Sequence, residues 1–414
     1  MRRIKKLILI LFIFTFSMQS FVFADSSTKQ DELSISAKSA ILVETNTGNI
    51  IYKKLPNEKI YPASTTKMMT AILTIENAKL TDIVTVSESS ISSVKQGYVL
   101  SGLQVGEEVS VESLLYELML PSANDVAYTL AEYVGKTTDN FVNMMNSKAT
   151  EIGCKNTHFS NPNGTYDENH YSTAYDLYLI ANYCMKNETF KGIVSKTEYT
   201  LPATNKYSEH DRKISNLNDL LNPSKSTYNP NAIGIKTGHT KESGYCLVAA
   251  TSNDGMNFIS VIVGANGDTQ RFQDANKLFN YGYKNYQLST VIKKGEVVTT
   301  ILIDNATKKT KKLDLLISQD IIALNKKTTN VAEISPKINL NPNTKAPIKA
   351  GDVIGTITYE IDGNDYTANL IARNDVNKTN KYIWYLIILA FIFLFLYKKI
   401  KFKNKKNRKR KSKT

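Results

Sequence analysis

Residues 382–397, YIWYLIILAFIFLFLY, contain no charged side chain, and residues 398–414 behind them carry eleven lysines or arginines and no acid. A helix of sixteen residues reaches about 24 Å, somewhat short of the ~30 Å hydrocarbon core of a bilayer. Snorkelling lysines, with Ile400 and Phe402, can make up the difference. Trp384 and Tyr385 near one end and Tyr397 at the other stand where an aromatic belt belongs. A buried helix of a soluble core is the alternative, but the basic tail offers nothing to cover it. The expectation is a transmembrane helix over 382–397. The positive-inside rule then puts 398–414 in the cytoplasm and everything before the helix outside.

The other end agrees with export. Arg2, Arg3, Lys5 and Lys6 precede an apolar run over 7–16, and small or apolar residues follow up to Val22-Phe23-Ala24. This is the pattern of a secretory signal peptide over 1–24, cleaved after Ala24, with an uncleaved anchor as the alternative. The net charge of +14 first suggests a nucleic-acid binder. Without the eleven cationic residues of the tail and the four of the leader, however, residues 25–397 carry −1, so a nucleic-acid partner loses its support. Cys154, Cys184 and Cys246 allow at most one disulfide in an exported chain. All three read as small buried hydrophobes. The four histidines show no ligand spacing, so neither a metal nor a cofactor is expected.

Between the termini, 38–54 reads as a hairpin around Thr45-Asn46-Thr47-Gly48. Helical periodicity dominates from 64 to 196, with helices over 64–80, 110–120, 125–134, 138–153 and 172–185. Strands return over 232–236, 244–252 and 257–264, and a helix over 269–285 follows. Strands at both ends with helices between them imply an α+β domain over 25–286, an antiparallel sheet with a helical cluster. Short alternating runs over 297–303, 313–318 and 353–359, separated by turn residues, imply a small all-β domain over 287–373. The polar stretch 374–381 reads as a linker.

Three short motifs carry chemistry. Ser64-Thr65-Thr66-Lys67 follows Pro62, which suits a helix start. Ser64 then sits near the positive end of a helix dipole with Lys67 on the same face. A lysine whose pKa is lowered by burial can take the proton of a neighbouring serine. Ser122-Ala123-Asn124 falls between two helical patterns, and Lys236-Thr237-Gly238 ends a strand. Each alone is readily a cap or a turn. Together and in this order, 58 and 114 residues apart, they match the SxxK, SxN and KTG signature of penicillin-binding proteins and class A β-lactamases.

The stretches YPASTTKMMTA, LMLPSANDVAYTLAEYVG, FSNPNG and GIKTGHTKESGYCLVA resemble the low-molecular-mass penicillin-binding proteins, the D-alanyl-D-alanine carboxypeptidase family. The resemblance is strong over 38–285 and weak over the β domain. Thr165 departs from the leucine more usual in that family. The resemblance implies a β-lactamase/transpeptidase-like fold and a cell-wall enzyme acting on peptidoglycan stem peptides that end in D-Ala-D-Ala, with β-lactams as covalent inhibitors. It further implies that Ser64 forms the acyl-enzyme and Lys67 is the general base, while Ser122, linked to Lys236, relays the proton to the leaving D-alanine. Asn124 would hold a substrate amide and orient Lys67. Thr237, beside Gly238 and helped by Arg271, would bind the terminal carboxylate. The backbone N–H groups of Ser64 and His239 would form the oxyanion hole.

Three rivals share these motifs. A β-lactamase needs a deacylating base, typically the Glu of an ExxLN element. Between the second and third motifs, the Leu-Asn pair at Leu217-Asn218 has Ile214 where that Glu belongs, and the pair at Leu221-Asn222 has Asn218 there. A DD-transpeptidase differs only in the acceptor of the acyl group. A non-catalytic wall-peptide scaffold would tolerate loss of a motif residue, and none is lost.

Overall fold

The computed structural model describes residues 33–207 and 212–411. The expected signal peptide over 1–24 lies outside the described residues. The hairpin forms as Ser39–Glu44 and Ile50–Lys54. Glu44 closes its turn by accepting from the backbone N–H groups of Asn46 and Thr47. These strands belong to a five-stranded antiparallel sheet in the order Ile50–Lys54, Ser39–Glu44, Met256–Ala265, Gly244–Asn253, Ala232–Thr240. Every residue of Ser39–Glu44 is buried, so both faces of the sheet are covered. On one face Cys246, Val248 and Ala250, alternating along their strand, join Met68, Leu114, Phe159 and Ile180 in one core. The helix Asp268–Asn285 packs on the same strands. Gly282 allows the close approach, because a Cβ there would lie 2.8 Å from the Phe258 ring.

The helical cluster comprises Lys67–Asn77, Val111–Met119, Asn124–Gly135, Thr138–Ile152 and Ala174–Cys184. Ser110, Thr137 and Thr173 cap three of these helices by accepting from backbone N–H groups of the first turn. In Lys67–Asn77, Met68, Met69, Ile72 and Leu73 are buried, each stabilising by roughly 1.5–3 kcal/mol. The helix that carries the serine motif is therefore anchored by its own apolar face. Among the elements that escaped the hydrophobic pattern are a helix at Glu188–Val194 and a hairpin of Glu198–Leu201 with Arg212–Ser215. The strand expected to stop at 236 runs on to Thr240, because Thr237 to Thr240 keep pairing with Leu247 to Gly244.

The β domain is a second five-stranded antiparallel sheet, in the order Val297–Leu302, Lys312–Ile317, Asn364–Ala372, Val353–Ile361, Lys337–Leu340. Leu313, Leu315 and Ile317 alternate into a core shared with Ile357, Tyr359 and Ile361. The expected linker over 374–381 needs correction. Val376 is fully buried and exchanges two backbone hydrogen bonds with Ile348, at 2.9 and 3.0 Å. Its polar neighbours hid a stretch that belongs to the domain.

Lys381–Lys411 form one helix that continues from the apolar segment into the basic residues without a break. Large side chains such as Leu386 and Phe393 are exposed on it. Among the described residues no helix is long and apolar enough to cross a membrane. The transmembrane helix expected over 382–397 is thus not shown by the fold, and the apolar run meets its first lysine at Lys398.

Candidate active site

Ala63–Thr66 form one 3-10 turn, and Lys67 opens the α-helix behind it. The sequence suggests an α-helical first turn instead; the tighter winding matters because residues i and i+3 eclipse in a 3-10 turn. Lys67 Nζ consequently lies 3.0 Å from Ser64 Oγ. Ala63 holds φ at +49°, a conformation costing on the order of 1–3 kcal/mol. Gly164 packs beneath it so closely that a Cβ there would come within 1.9 Å of the Ala63 carbonyl oxygen.

Lys67 is fully buried, and its Nζ also meets Asn124 Oδ1 and the Asn163 carbonyl oxygen, each at 2.9 Å. Burial first, and then the charge of Lys236, hold its pKa well below the usual lysine value, with Asp125 pulling the other way. A neutral amine has two hydrogens and one lone pair. The Asn163 carbonyl can only accept. Asn124 Nδ2 donates to the Val99 carbonyl at 2.8 Å, which turns Oδ1 toward the lysine. Both amine hydrogens are thus engaged, and the lone pair is left for the Ser64 hydroxyl. The second hydrogen on Asn124 Nδ2 stays free for a substrate amide.

Ser122 sits between Val111–Met119 and Asn124–Gly135 with φ at +68°, again a strained value for a residue with a side chain. Ser122 Oγ and Lys236 Nζ are both buried, and neither has a hydrogen-bond partner among the described residues. The expected link between them is therefore not made. Burial, followed by the charge of Arg271, brings the Lys236 pKa down to about 7. Unpartnered buried polar groups are costly, so each marks a candidate functional position.

Ala232–Thr240 is an edge strand, so one side of its backbone is open to an added strand. Gly238 lies against the start of the serine turn, since a Cβ on it would be 3.0 Å from the Ser64 nitrogen. The His239 ring stacks on Tyr245, with centroids 4.3 Å apart. Arg271 lines the cleft with its two terminal nitrogens engaged: Nη1 donates to the Gly238 and Cys246 carbonyls at 3.1 and 3.3 Å, and Nη2 pairs with Asp268, while the buried Nε has no partner among the described residues. It braces the strand, in addition to any role toward a substrate carboxylate. Ser64, Ser122, Asn124, Thr237, Gly238 and Arg271 line one cleft of about 460 Å³.

The family model of D-alanyl-D-alanine carboxypeptidases matches residues 25–267, more than half of the chain. The chain belongs to this family. It is accordingly a serine peptidase, a hydrolase. A second model, for the C-terminal domain of penicillin-binding protein 5, matches residues 286–378 and so includes Val376. D-alanyl-D-alanine carboxypeptidase DacF of Bacillus subtilis is 32% identical over 394 residues, covering 93% of this chain and 97% of its own. Penicillin-binding protein 5 from Haemophilus influenzae is 31% identical with a TM-score of 0.70, covering 83% of this chain and 98% of that one. The Streptomyces K15 DD-transpeptidase is 35% identical with a TM-score of 0.57, covering 61% of this chain and 98% of that one.

Within this carboxypeptidase site the sequence reading missed four contributors. Asn163 acts through its carbonyl, a group every residue type carries; only its place in FSNPNG singled it out. Tyr98 and Val99 form one wall because the Val99 carbonyl is gripped by the Asn124 backbone and side chain. Leu217 lines the cleft as well, and nothing in its sequence context signals that. Thr165, the family departure, is buried, with its backbone bonded to Asn161 and Asn163 side chains.

Proposed function

We propose that this chain removes the terminal D-alanine from peptidoglycan stem peptides through an ester on Ser64, at the outer face of a membrane to which 382–397 anchors it. The observation that carries the chemistry is the buried Lys67 amine, 3.0 Å from Ser64 Oγ and with both of its hydrogens already engaged. Ser64 Oγ attacks the carbonyl between the two D-alanines while Lys67 accepts its proton. The oxyanion is held by the N–H groups of Ser64 and His239. Ser122 and Lys236 deliver a proton to the departing D-alanine nitrogen, and the C–N bond breaks. Water then attacks the ester and releases the shortened peptide, returning Ser64 to its hydroxyl form. Asn124 and Thr237 position the peptide amide and carboxylate.

The anchor reading rests on the uncharged run, its exposed apolar side chains and the basic residues that follow; the lysines reach the lipid headgroups by snorkelling. The catalytic domain then faces outward and the tail the cytoplasm.

Incubating the full chain with pentapeptide-bearing wall fragments and weighing the products tests the reading. Tetrapeptides and free D-alanine are the expected products. Cross-linked dimers as the main product would instead assign a transpeptidase, and hydrolysed penicillin with untouched peptides a β-lactamase.

A further inference from the structure

Lys241 and Glu242 follow the strand Ala232–Thr240 directly, and both line the cleft that holds Ser64. Both are exposed, and neither makes an ion pair or side-chain hydrogen bond among the described residues. Glu242 is the sole acid among the residues lining that cleft. Tyr166 is close by: its phenol is raised above the ordinary value first by a hydrogen bond with Tyr61, and also by the Glu242 carboxylate. The Tyr61 and Tyr166 rings meet edge to face, 4.8 Å between centroids, and Tyr166 is 37% exposed.

The direction of the substrate follows from the open strand edge, on the reading proposed above. A peptide with its C-terminal carboxylate at Thr237 and its scissile carbonyl at Ser64, beside Gly238, lies antiparallel to the strand. Its upstream residues then pass His239 and Thr240, at about 3.3 Å per residue. The residue immediately before D-Ala-D-Ala falls opposite Thr240, and a long side chain from it reaches Lys241 and Glu242. In peptidoglycan stem peptides that residue is a diamino acid with a free amine at the end of its side chain.

We propose that Glu242 binds the side-chain ammonium of the diamino acid that precedes D-Ala-D-Ala. An exposed, unpaired carboxylate on the wall of the cleft is a fitting site for a primary ammonium. Lys241 alongside suits a diamino acid that carries a second carboxylate next to its amine.

The test measures kcat/KM of the full-length chain, per penicillin-titrated site, on three peptides ending in D-Ala-D-Ala. They carry lysine, Nε-acetyl-lysine or a diamino-dicarboxylic acid at the preceding position. The free amines are expected to be preferred over the acetylated one by about twofold to fivefold, the range of an exposed ion pair. The faster of the two free-amine peptides identifies the natural source of the amine. Glu242→Gln should bring the ratio close to one, and Glu242→Lys should reverse it. Equal rates on free and acetylated peptides in the unsubstituted enzyme, or a preference that survives Glu242→Gln, would overturn the assignment. Failure of the wider functional reading is distinct, since then no peptide is cleaved.

Discussion

The carbonyl oxygen of Asn163 lies 2.9 Å from Lys67 Nζ, 96 residues away in sequence. A backbone carbonyl cannot donate, so this contact takes a hydrogen from the amine whatever the state of its neighbours. Together with Asn124 Oδ1 it decides which way the lone pair of Lys67 points. On the proposed mechanism, the lysine is a base toward one serine only.

Lys67→Arg should therefore leave Ser64 without a base, because a guanidinium stays protonated at any working pH. Labelled penicillin should form its adduct on Ser64 in the unsubstituted chain, as peptide mass mapping will show. In Lys67→Arg the acylation rate should fall by about 10²- to 10⁴-fold, the usual worth of a general base. An adduct on another residue, or a variant that keeps more than a few per cent of the rate, would place proton removal elsewhere.

Gly164→Ala tests the packing beneath the serine turn. Its Cβ would come within 1.9 Å of the Ala63 carbonyl, at a φ of +86°, so either Ala63 or Gly164 must move. A loss of roughly 2 kcal/mol or more in urea unfolding is expected, with slower penicillin acylation. Unchanged stability together with an unchanged acylation rate would mean that the turn does not depend on this contact.

The Lys236 amine titrates at about 7 in the folded chain, against an ordinary 10.5. Between those values the unfolded chain binds more protons than the folded one. This group therefore makes stability rise with pH across that window, by up to about 1.4 kcal/mol per pH unit, with its full penalty present below about pH 7. Lys236→Met should accordingly be more stable than the unsubstituted chain near pH 6, with a smaller advantage near pH 9. An advantage that does not change with pH would mean that the buried charge is not its source.

Deleting 382–414 should release an active enzyme into the medium, since the catalytic motifs all lie far upstream of it. Protease added to intact wall-stripped cells should digest the catalytic domain and spare the tail. A truncated protein that stays with the membrane would assign retention to the β domain.

How much of this was legible beforehand depended on whether the information lay in side-chain type or in backbone path. Ser64, Lys67, Ser122, Asn124 and Lys236 announced themselves because their chemistry needs those residue types at those spacings. The two sheets and the helical cluster showed through hydrophobic period. The Asn163 and Val99 carbonyls did not show, because no residue choice encodes where a carbonyl points. Nor did Val376, a single apolar residue in a polar run, whose burial depends on the distant strand partner Ile348. The missing Ser122–Lys236 bond belongs to the same class, since it turns on angstroms that sequence spacing does not specify.

On the proposed mechanism, Ser64 is reactive only where residues 63 to 164 have come together, because the carbonyl and amide that align Lys67 lie 96 and 57 positions beyond it. In an unfolded chain Lys67 is an ordinary cation and Ser64 an ordinary alcohol. The adduct with a β-lactam consequently counts natively assembled molecules one by one. In a mixture of folded and unfolded copies, the labelled fraction reads out folding yield directly, with no need to purify the two apart.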